Sequence, residues 1–170
     1  ETGPHYLTMC DEDLQEDGRF KMNPPLRSRE DMLALIDGVL DGTVDVIATD
    51  HAPHSAEEKA KGLAGSLMGV VGLETAFGVL NTKLVKTGII TLEKLIDMMS
   101  VKPREIFGLP GGKIEVGAPA DLALLDVDKK WCVNPENFVT MGRATPFKNW
   151  NLQGENLLTI CKGEIVYAAI

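Results

Sequence analysis

A short apolar stretch that ends in a cluster of polar side chains constrains the fold of this chain more than any other feature. The stretch covers residues 44–49, and its β-branched residues predict a strand buried on both faces, as in a parallel sheet. The stretch leads into the hexapeptide Thr49-Asp50-His51-Ala52-Pro53-His54, which shares Thr49 with it. A carboxylate and two imidazoles at the mouth of a buried strand can bind a metal ion or move protons. The pattern therefore indicates a hydrolytic active site, or part of one.

Composition excludes several classes of protein. The formal net charge of −8 argues against a surface for nucleic acid or for an anionic membrane. No apolar stretch approaches the roughly 20 residues that a membrane span needs. The three cysteines are far apart and odd in number, which argues against a disulfide framework or a zinc knuckle. We therefore expect a protein of the reducing cytoplasm.

Helix and strand signals alternate along the first 107 residues. The run from Ser28 to Asp31 resembles a capping box, an apolar face with helical spacing follows it, and Gly42 predicts the end of that helix. Ser55 and Thr91 predict further helix starts. This alternation is typical of a parallel α/β domain. In a (β/α)8 barrel, functional residues follow the carboxyl ends of the strands, which is where the hexapeptide lies.

After Gly108 the sequence is rich in strand signals. Predicted strands cover residues 113–116, 122–127, 131–133, 157–161 and 164–168. The last two predict a β-hairpin that turns at Lys162 and Gly163. We therefore predict two domains, with barrel-type βα units in residues 1–107 and a β-rich extension in residues 108–170.

Length sets a limit on the barrel. A (β/α)8 barrel takes about 250 residues, whereas residues 1–107 supply only its last two or three βα units. The chain also opens at Glu1 rather than at a methionine. We therefore expect a partial fold, which either pairs with another fragment or belongs to a longer chain.

The residues of the hexapeptide differ in how strongly they indicate function. Asp50 can ligate a metal and take a proton, and its histidine neighbours favour this role over that of a turn or capping aspartate. His54 precedes a predicted helix start, where imidazole can donate to an anionic substrate group, or can stabilise the turn. For His51, a structural hydrogen bond and a ligand role are equally compatible with the pattern.

Three further positions are weaker candidates when each is taken alone. His5 follows a proline, and a packed or exposed histidine is the default interpretation there. Asn23 can hydrogen-bond a substrate amide, although an asparagine that starts a proline turn explains the pattern better. Gly69 and Gly72 can let backbone N–H groups approach a ligand, but no Lys-Ser/Thr pair follows, so they do not predict a phosphate loop.

Taken together and in order, four runs resemble the bacterial class I dihydroorotases of the amidohydrolase superfamily. They are Glu1-Thr2-Gly3-Pro4-His5-Tyr6-Leu7, Asn23-Pro24-Pro25-Leu26-Arg27, Thr49-Asp50-His51-Ala52-Pro53-His54 with Glu57-Glu58-Lys59, and Gly72-Leu73-Glu74-Thr75. Residues 117–122 and 162–167 resemble the C-terminal β extension of that superfamily, which many amidohydrolases share. The resemblance implies the C-terminal part of a TIM-like (β/α)8 metal-dependent hydrolase barrel with part of a small β-rich domain.

The resemblance also implies roles for individual residues. His5 matches a zinc ligand, and Asp50 matches an aspartate that ligates zinc and acts as general base and then general acid. His54 and Asn23 match residues that contact the substrate. The loop from Gly69 to Gly72 matches one whose backbone lies near the substrate.

The implied reaction is the reversible cyclisation of N-carbamoyl-L-aspartate to dihydroorotate in pyrimidine biosynthesis, with one or two Zn²⁺ ions per full-length chain. A homodimer is implied as well. The family's His-x-His zinc pair, its bridging carboxylate or modified lysine, and a further histidine ligand have no counterpart here, because all three histidines lie elsewhere. We therefore expect the missing N-terminal half of the chain to supply these ligands, and the isolated chain to bind metal weakly and to be inactive.

Two alternatives remain open from the sequence. An allantoinase or a dihydropyrimidinase would also suit the run from Pro4 to Leu7, although the second and third runs favour dihydroorotase. A non-catalytic amidohydrolase-like subunit that assembles with a transcarbamoylase is possible too, but the intact Asp50 and His54 count against it.

Overall fold

The computed structural model describes residues 1–169, and these divide into two compact units. The first unit comprises Glu1–Ala76 and Cys132–Asn151. The second comprises Phe77–Trp131 and the chain from Leu152 onward. No helix within residues 1–169 combines the length and the apolar character needed to cross a membrane.

Four α-helices lie in the first unit: α1 (Pro4–Thr8), α2 (Arg29–Asp41), α3 (Ala56–Lys59) and α4 (Gly62–Gly65). Two of them, α2 and α3, begin at a capping side chain. The Ser28 hydroxyl accepts the backbone N–H of Asp31 at the start of α2, and Gly42 ends this helix with a φ of 85°. Ser55 and Glu58 form the reciprocal capping box of α3. The predicted starts of α2 and α3 are thereby confirmed.

Three extended segments of the first unit, around Thr2, around Ile47 and around Val70, run parallel, and the one around Ile47 is the central segment. Isolated bridges pair Thr2 with Ile47 and His51 with Val70. The predicted strand at residues 44–49 is therefore present as an extended segment with single bridges, and not as a continuous strand. Its regular course ends at Asp50, which takes a positive φ of 49° and turns the backbone out of the extended region. Because the three segments are parallel, their carboxyl ends lie at the same edge, next to the residues that follow each segment.

Helices from Ala76 onward contain two π-helical turns. The segments are α5 (Ala76–Leu80), a π-turn (Asn81–Val85), α6 (Leu92–Ile96), a second π-turn (Asp97–Val101) and α7 (Lys102–Phe107). Thr91 caps α6 by accepting the backbone N–H of Lys94, as the sequence predicts. Leu80, Leu84 and Leu95 are among the most buried side chains.

Three strands form one sheet in the order β1-β2-β3: β1 (Leu122–Cys132), β2 (Asn151–Cys161) and β3 (Glu164–Ala168). The predicted hairpin is confirmed, because β2 and β3 pair antiparallel and turn at Lys162 and Gly163, both with positive φ. β1 continues through two separately predicted strands. The predicted strand at residues 113–116 is wrong, because this exposed segment follows Gly111 and Gly112, whose positive φ values break the extended course.

Candidate functional site

Asp50 is the first residue beyond the central extended segment, and it is exposed. Its φ of 49° places a residue other than glycine in the left-handed region, which aspartate tolerates better than most residues. Backbone outliers of this kind cluster at functional sites. Asn149 and Lys162 also have positive φ, so this geometry agrees with a functional role for Asp50 and does not by itself assign one.

His5 lies in α1, three residues after Thr2, which pairs with Ile47. Its side chain is buried, with 1% of the residue's surface exposed. Its Nε2 atom is buried and has no hydrogen-bond partner within residues 1–169. Burial lowers the pKa of His5 to about 4, and the nearby Asp50 carboxylate opposes this only in part. At neutral pH the imidazole is therefore uncharged, and a ring nitrogen is available as a ligand.

His5 and Asp50 fit part of a zinc site. A neutral imidazole nitrogen and a carboxylate oxygen are both common zinc donors. The Asp50 charge is close enough to offset part of the lowering of the His5 pKa, and it adds to the effect of burial in raising the pKa of Tyr6 to about 12. Gly3 leaves space for the His5 ring, since a Cβ at Gly3 would lie 3.0 Å from Cε1 of His5. No group of three His, Cys, Asp or Glu side chains suited to a metal occurs within residues 1–169, whereas catalytic zinc usually has three protein ligands.

His51 makes structural hydrogen bonds. Its Nδ1 accepts the backbone N–H of Gly72 at 3.1 Å and that of Leu73 at 3.4 Å. Its Nε2 lies 3.4 Å from Oγ1 of Thr140. The ring therefore joins the central segment to the segment that ends at Gly72, which favours the structural interpretation of this histidine.

His54 is held at both ring nitrogens. Nε2 lies 2.9 Å from the carbonyl oxygen of Met68, and Nδ1 lies 3.5 Å from a carboxylate oxygen of Glu58. A carbonyl oxygen only accepts hydrogen bonds, so Nε2 must carry a proton. The orientation of His54 is therefore fixed by the backbone carbonyl of Met68, the residue before Gly69.

The two predicted loop glycines allow close backbone contacts. Gly69 has a φ of 140°, and a Cβ there would lie 2.7 Å from both Cβ and the carbonyl oxygen of Ala52 and 2.9 Å from Nε2 of His54. A Cβ at Gly72 would lie 2.8 Å from the carbonyl oxygen of Thr49. Both glycines are required by close packing against the hexapeptide and its preceding segment.

Asn23 lies in an exposed loop that is tied to the same region. The backbone N–H of Gly69 donates to the carbonyl of Lys21 at 3.0 Å, and the hydroxyl of Tyr6 donates to the carbonyl of Pro24 at 2.8 Å. Within residues 1–169 the Asn23 side chain makes no hydrogen bond to another predicted site residue. The structure thus brings together His5 in α1 and the loops of Asp50, His54, Gly69 and Gly72, and it places the Asn23 loop beside them.

A cationic surface cavity lies beside His54. Its volume is about 200 Å³. Its charged or titratable lining residues are Asp17, Arg19, His54, Lys59, Arg143 and Lys148. The excess of cationic groups suits an anionic ligand group.

Sequence reasoning missed several residues that organise the site. Glu74 accepts the backbone N–H groups of Val139 (2.9 Å) and Thr140 (3.1 Å), and Val71 donates to the carbonyl of Ala144. Lys59 was missed too, because a lysine after two glutamates ordinarily predicts an exposed helix face.

Comparison with known sequences identifies relatives. The sequence profile of the amidohydrolase family matches residues 10–166. The chain is 52% identical to a dihydroorotase of Bacillus caldolyticus over 168 residues, 98% of this chain and 39% of that protein. It is 53% identical to a dihydroorotase of Fusobacterium nucleatum, over 98% of this chain and 40% of that protein. The chain therefore spans about two fifths of the length of these relatives, and the resemblance to dihydroorotase is confirmed.

Solved structures agree with the fold. An L-hydantoinase (dihydropyrimidinase) from Arthrobacter aurescens superposes with a TM-score of 0.87 at 31% identity, over 98% of this chain and 38% of that one. A dihydropyrimidinase from Brevibacillus agri also gives 0.87, at 23% identity over the same shares, and supports the fold alone. The family profile, which covers most of the chain, decides the assignment: this chain belongs to the amidohydrolase family.

Proposed function

We propose that this chain contributes part of the active site of a dihydroorotase, which interconverts N-carbamoyl-L-aspartate and dihydroorotate in pyrimidine biosynthesis. The observation that carries the proposal is the identity of 52% to a dihydroorotase across 98% of the chain. The hydrolase chemistry agrees with membership of the amidohydrolase family.

In this proposal the chain forms the C-terminal βα units of a (β/α)8 barrel in residues 1–107 and part of a β-rich extension in residues 108–170. The parallel bridges at Ile47 and Val70 support the barrel assignment. The share of the relatives that the chain covers, 39%, leaves room for a preceding segment. That segment would complete the barrel and supply the remaining metal ligands.

His5 and Asp50 would hold zinc in the complete protein. The support is the buried, unpaired and uncharged imidazole of His5 beside the carboxylate of Asp50. Zinc in such a site supplies a Lewis acid and makes water a stronger nucleophile at neutral pH. One or two ions per full-length chain are expected. The isolated chain, with two ligands of the usual three, would bind zinc weakly and be inactive.

Asp50 would move the proton of the reaction. In the hydrolytic direction its carboxylate accepts a proton from the attacking water and delivers it to the ring nitrogen as the amide bond breaks. Cyclisation runs through the same positions in reverse, with Asp50 taking the proton from the carbamoyl nitrogen. Its exposed position and its turned-out backbone support this role.

The substrate would be bound by the loops around His54. The side chain of Asn23 would hold its polar groups, and the His54 ring, whose Nε2 is already bonded to the Met68 carbonyl, would contact it. The backbone at Gly69 and Gly72 would lie against it. The cationic cavity beside His54 supports an anionic substrate such as a carboxylate.

A related cyclic amidase is the alternative function that one observation supports. The structural match to an L-hydantoinase (dihydropyrimidinase) at 31% identity favours a related cyclic amidase as the second candidate. Homodimer formation, and assembly with a transcarbamoylase as a non-catalytic subunit, remain further proposals about partners.

The decisive experiment measures turnover of dihydroorotate, dihydrouracil and allantoin by the complete protein that contains this chain, with zinc content determined on the same sample. Dihydroorotate is the expected substrate. Asp50→Asn should lower its turnover by about a hundredfold to ten-thousandfold, whereas Asp45→Asn, an exposed change five residues earlier, should leave turnover unchanged. Preference for dihydrouracil, or full activity in Asp50→Asn, would contradict the proposal.

A further inference from the structure

Lys59 is a buried cation at the end of α3, with 7% of its surface exposed. Its ammonium donates to three backbone carbonyls, those of Lys21 (2.9 Å), Leu67 (2.7 Å) and Gly69 (2.7 Å). An ammonium group has three N–H donors, so these bonds use all of them. Lys59 therefore acts within the protein and has no donor left for a ligand.

Two of these carbonyls flank Met68. Because Leu67 and Gly69 are both fixed on Lys59, the backbone between them cannot rotate freely. The carbonyl of Met68 then accepts the Nε2 proton of His54 at 2.9 Å. The position of the His54 ring thus depends on Lys59 through the intervening backbone.

The third carbonyl links the Asn23 loop to the same cation. Lys21 lies two residues before Asn23, and its carbonyl accepts both the ammonium of Lys59 and the backbone N–H of Gly69. Removing Lys59 would therefore take one donor from each of three loop carbonyls, and the Lys21 carbonyl would keep only the N–H of Gly69. Each of these carbonyls lies next to or near a residue proposed to bind substrate.

The burial of this charge has a cost that the carbonyl dipoles offset. Burial lowers the pKa of Lys59, the charge of Lys21 adds to this, and Asp17 opposes it. A lysine on an exposed helix end would meet no such cost. Its placement here is consistent with a role in ordering the loops.

We propose that Lys59 is a positioning residue for substrate binding, which holds the loops of Asn23 and Gly69 so that the Met68 carbonyl fixes the His54 ring. The proposal rests on the proposed function, because it assigns substrate contact to those loops. It concerns binding of the substrate and not metal binding or the proton transfer at Asp50.

The test compares Lys59→Met and Lys59→Arg with the wild type in the complete protein. Lys61→Met, at an exposed lysine two residues further along, is the control. The readouts are kcat and KM for dihydroorotate, zinc content, and the NMR signal of isotope-labelled His54, assigned by its loss in His54→Asn. Lys59→Met should raise KM about tenfold or more, with kcat within about threefold and zinc content unchanged. It should also shift the His54 signal, and Lys59→Arg, which keeps charge and N–H donors, should recover part of both effects.

An unchanged KM together with an unshifted His54 signal in Lys59→Met overturns the proposal. If Lys59→Met does not fold, Lys59→Arg decides: a raised KM supports positioning, and a wild-type KM, or failure of this variant to fold as well, assigns Lys59 to stability alone. A wild-type protein that binds zinc but does not turn over dihydroorotate refutes the proposed function instead. The His54 signal then still tests the effect of Lys59 on that ring.

Discussion

The Nδ1 atom of His51 accepts the backbone N–H of Gly72 across 3.1 Å. This bond joins the end of the central extended segment to the end of its parallel neighbour. A nitrogen that accepts an N–H carries no proton, so the bond selects the tautomer with the proton on Nε2, the atom beside Thr140. His51 therefore aligns the backbone next to Asp50 without needing to touch a metal ion.

His51→Ala should lower the free energy of unfolding by about 1–2 kcal/mol, because two backbone N–H groups lose their acceptor. His51→Asn is the matched variant, since its side-chain oxygen can take the place of Nδ1, and it should recover most of the loss. Denaturant unfolding of the complete protein measures both changes. Equal stability of the wild type and His51→Ala would show that the bond contributes nothing.

Gly69→Ala should be more damaging than Gly88→Ala. Both glycines have positive φ, but a Cβ at Gly88 would meet nothing within 4 Å, whereas a Cβ at Gly69 would meet Ala52 at 2.7 Å and His54 at 2.9 Å. We expect Gly88→Ala to cost about 1 kcal/mol of stability, and Gly69→Ala to cost at least about 2 kcal/mol.

Gly69→Ala should also raise KM for the substrate, because the added methyl displaces His54. The measurements are denaturant midpoints and steady-state kinetics of the two variants side by side. Identical behaviour of the two alanine variants would contradict the close approach at Gly69.

Asn81 should be intolerant of an acidic replacement. It is fully buried, and its Nδ2 donates to the carbonyls of Val127 (3.0 Å) and Gln153 (2.7 Å). Asn81→Asp replaces this donor with a charged acceptor facing two carbonyls, so it should cost about 3 kcal/mol or more in unfolding free energy. Asn137→Asp, an exposed change, should stay within about 0.5 kcal/mol. Thermal and denaturant unfolding of both variants provide the comparison, and similar losses would count against the role of Asn81.

The local signals in this sequence predicted local structure well. Ser28, Ser55 and Thr91 each cap the helix that follows them, and the hairpin turns at Lys162 and Gly163. These features depend on hydrogen bonds within a few residues, so a single sequence contains their cause.

Contacts between distant residues were not predictable in the same way. The burial of Lys59 depends on carbonyls 8 to 38 residues away, and Glu74 bonds to backbone N–H groups 65 and 66 residues away. Every residue carries a backbone carbonyl, and every residue except proline a backbone N–H, so no motif in the sequence marks these groups as partners. The candidate site was found through its side chains, whereas the contacts that order it required the structure.

The last prediction concerns pH and the capping box of α3. The pKa of Glu58 lies below its ordinary 4.5, chiefly because its carboxylate accepts the backbone N–H of Ser55 at 2.9 Å. The carboxylate of the unfolded chain takes up its proton at the higher pH, so the unfolded state binds more protons as the pH falls through 4.5. The stabilisation by Glu58 is therefore complete above pH 4.5 and is lost as the pH falls through the lower pKa of the folded state.

Glu58→Gln should reveal this dependence, because glutamine keeps the shape of the side chain but cannot titrate. The difference in denaturant midpoint between the wild type and Glu58→Gln should be largest near neutral pH and should shrink as the pH falls below 4.5. Glu57→Gln, on the exposed residue just before it, controls for the loss of one negative charge from the same helix. A difference that stays constant with pH would mean that the charge of Glu58 does not strengthen its bond to Ser55.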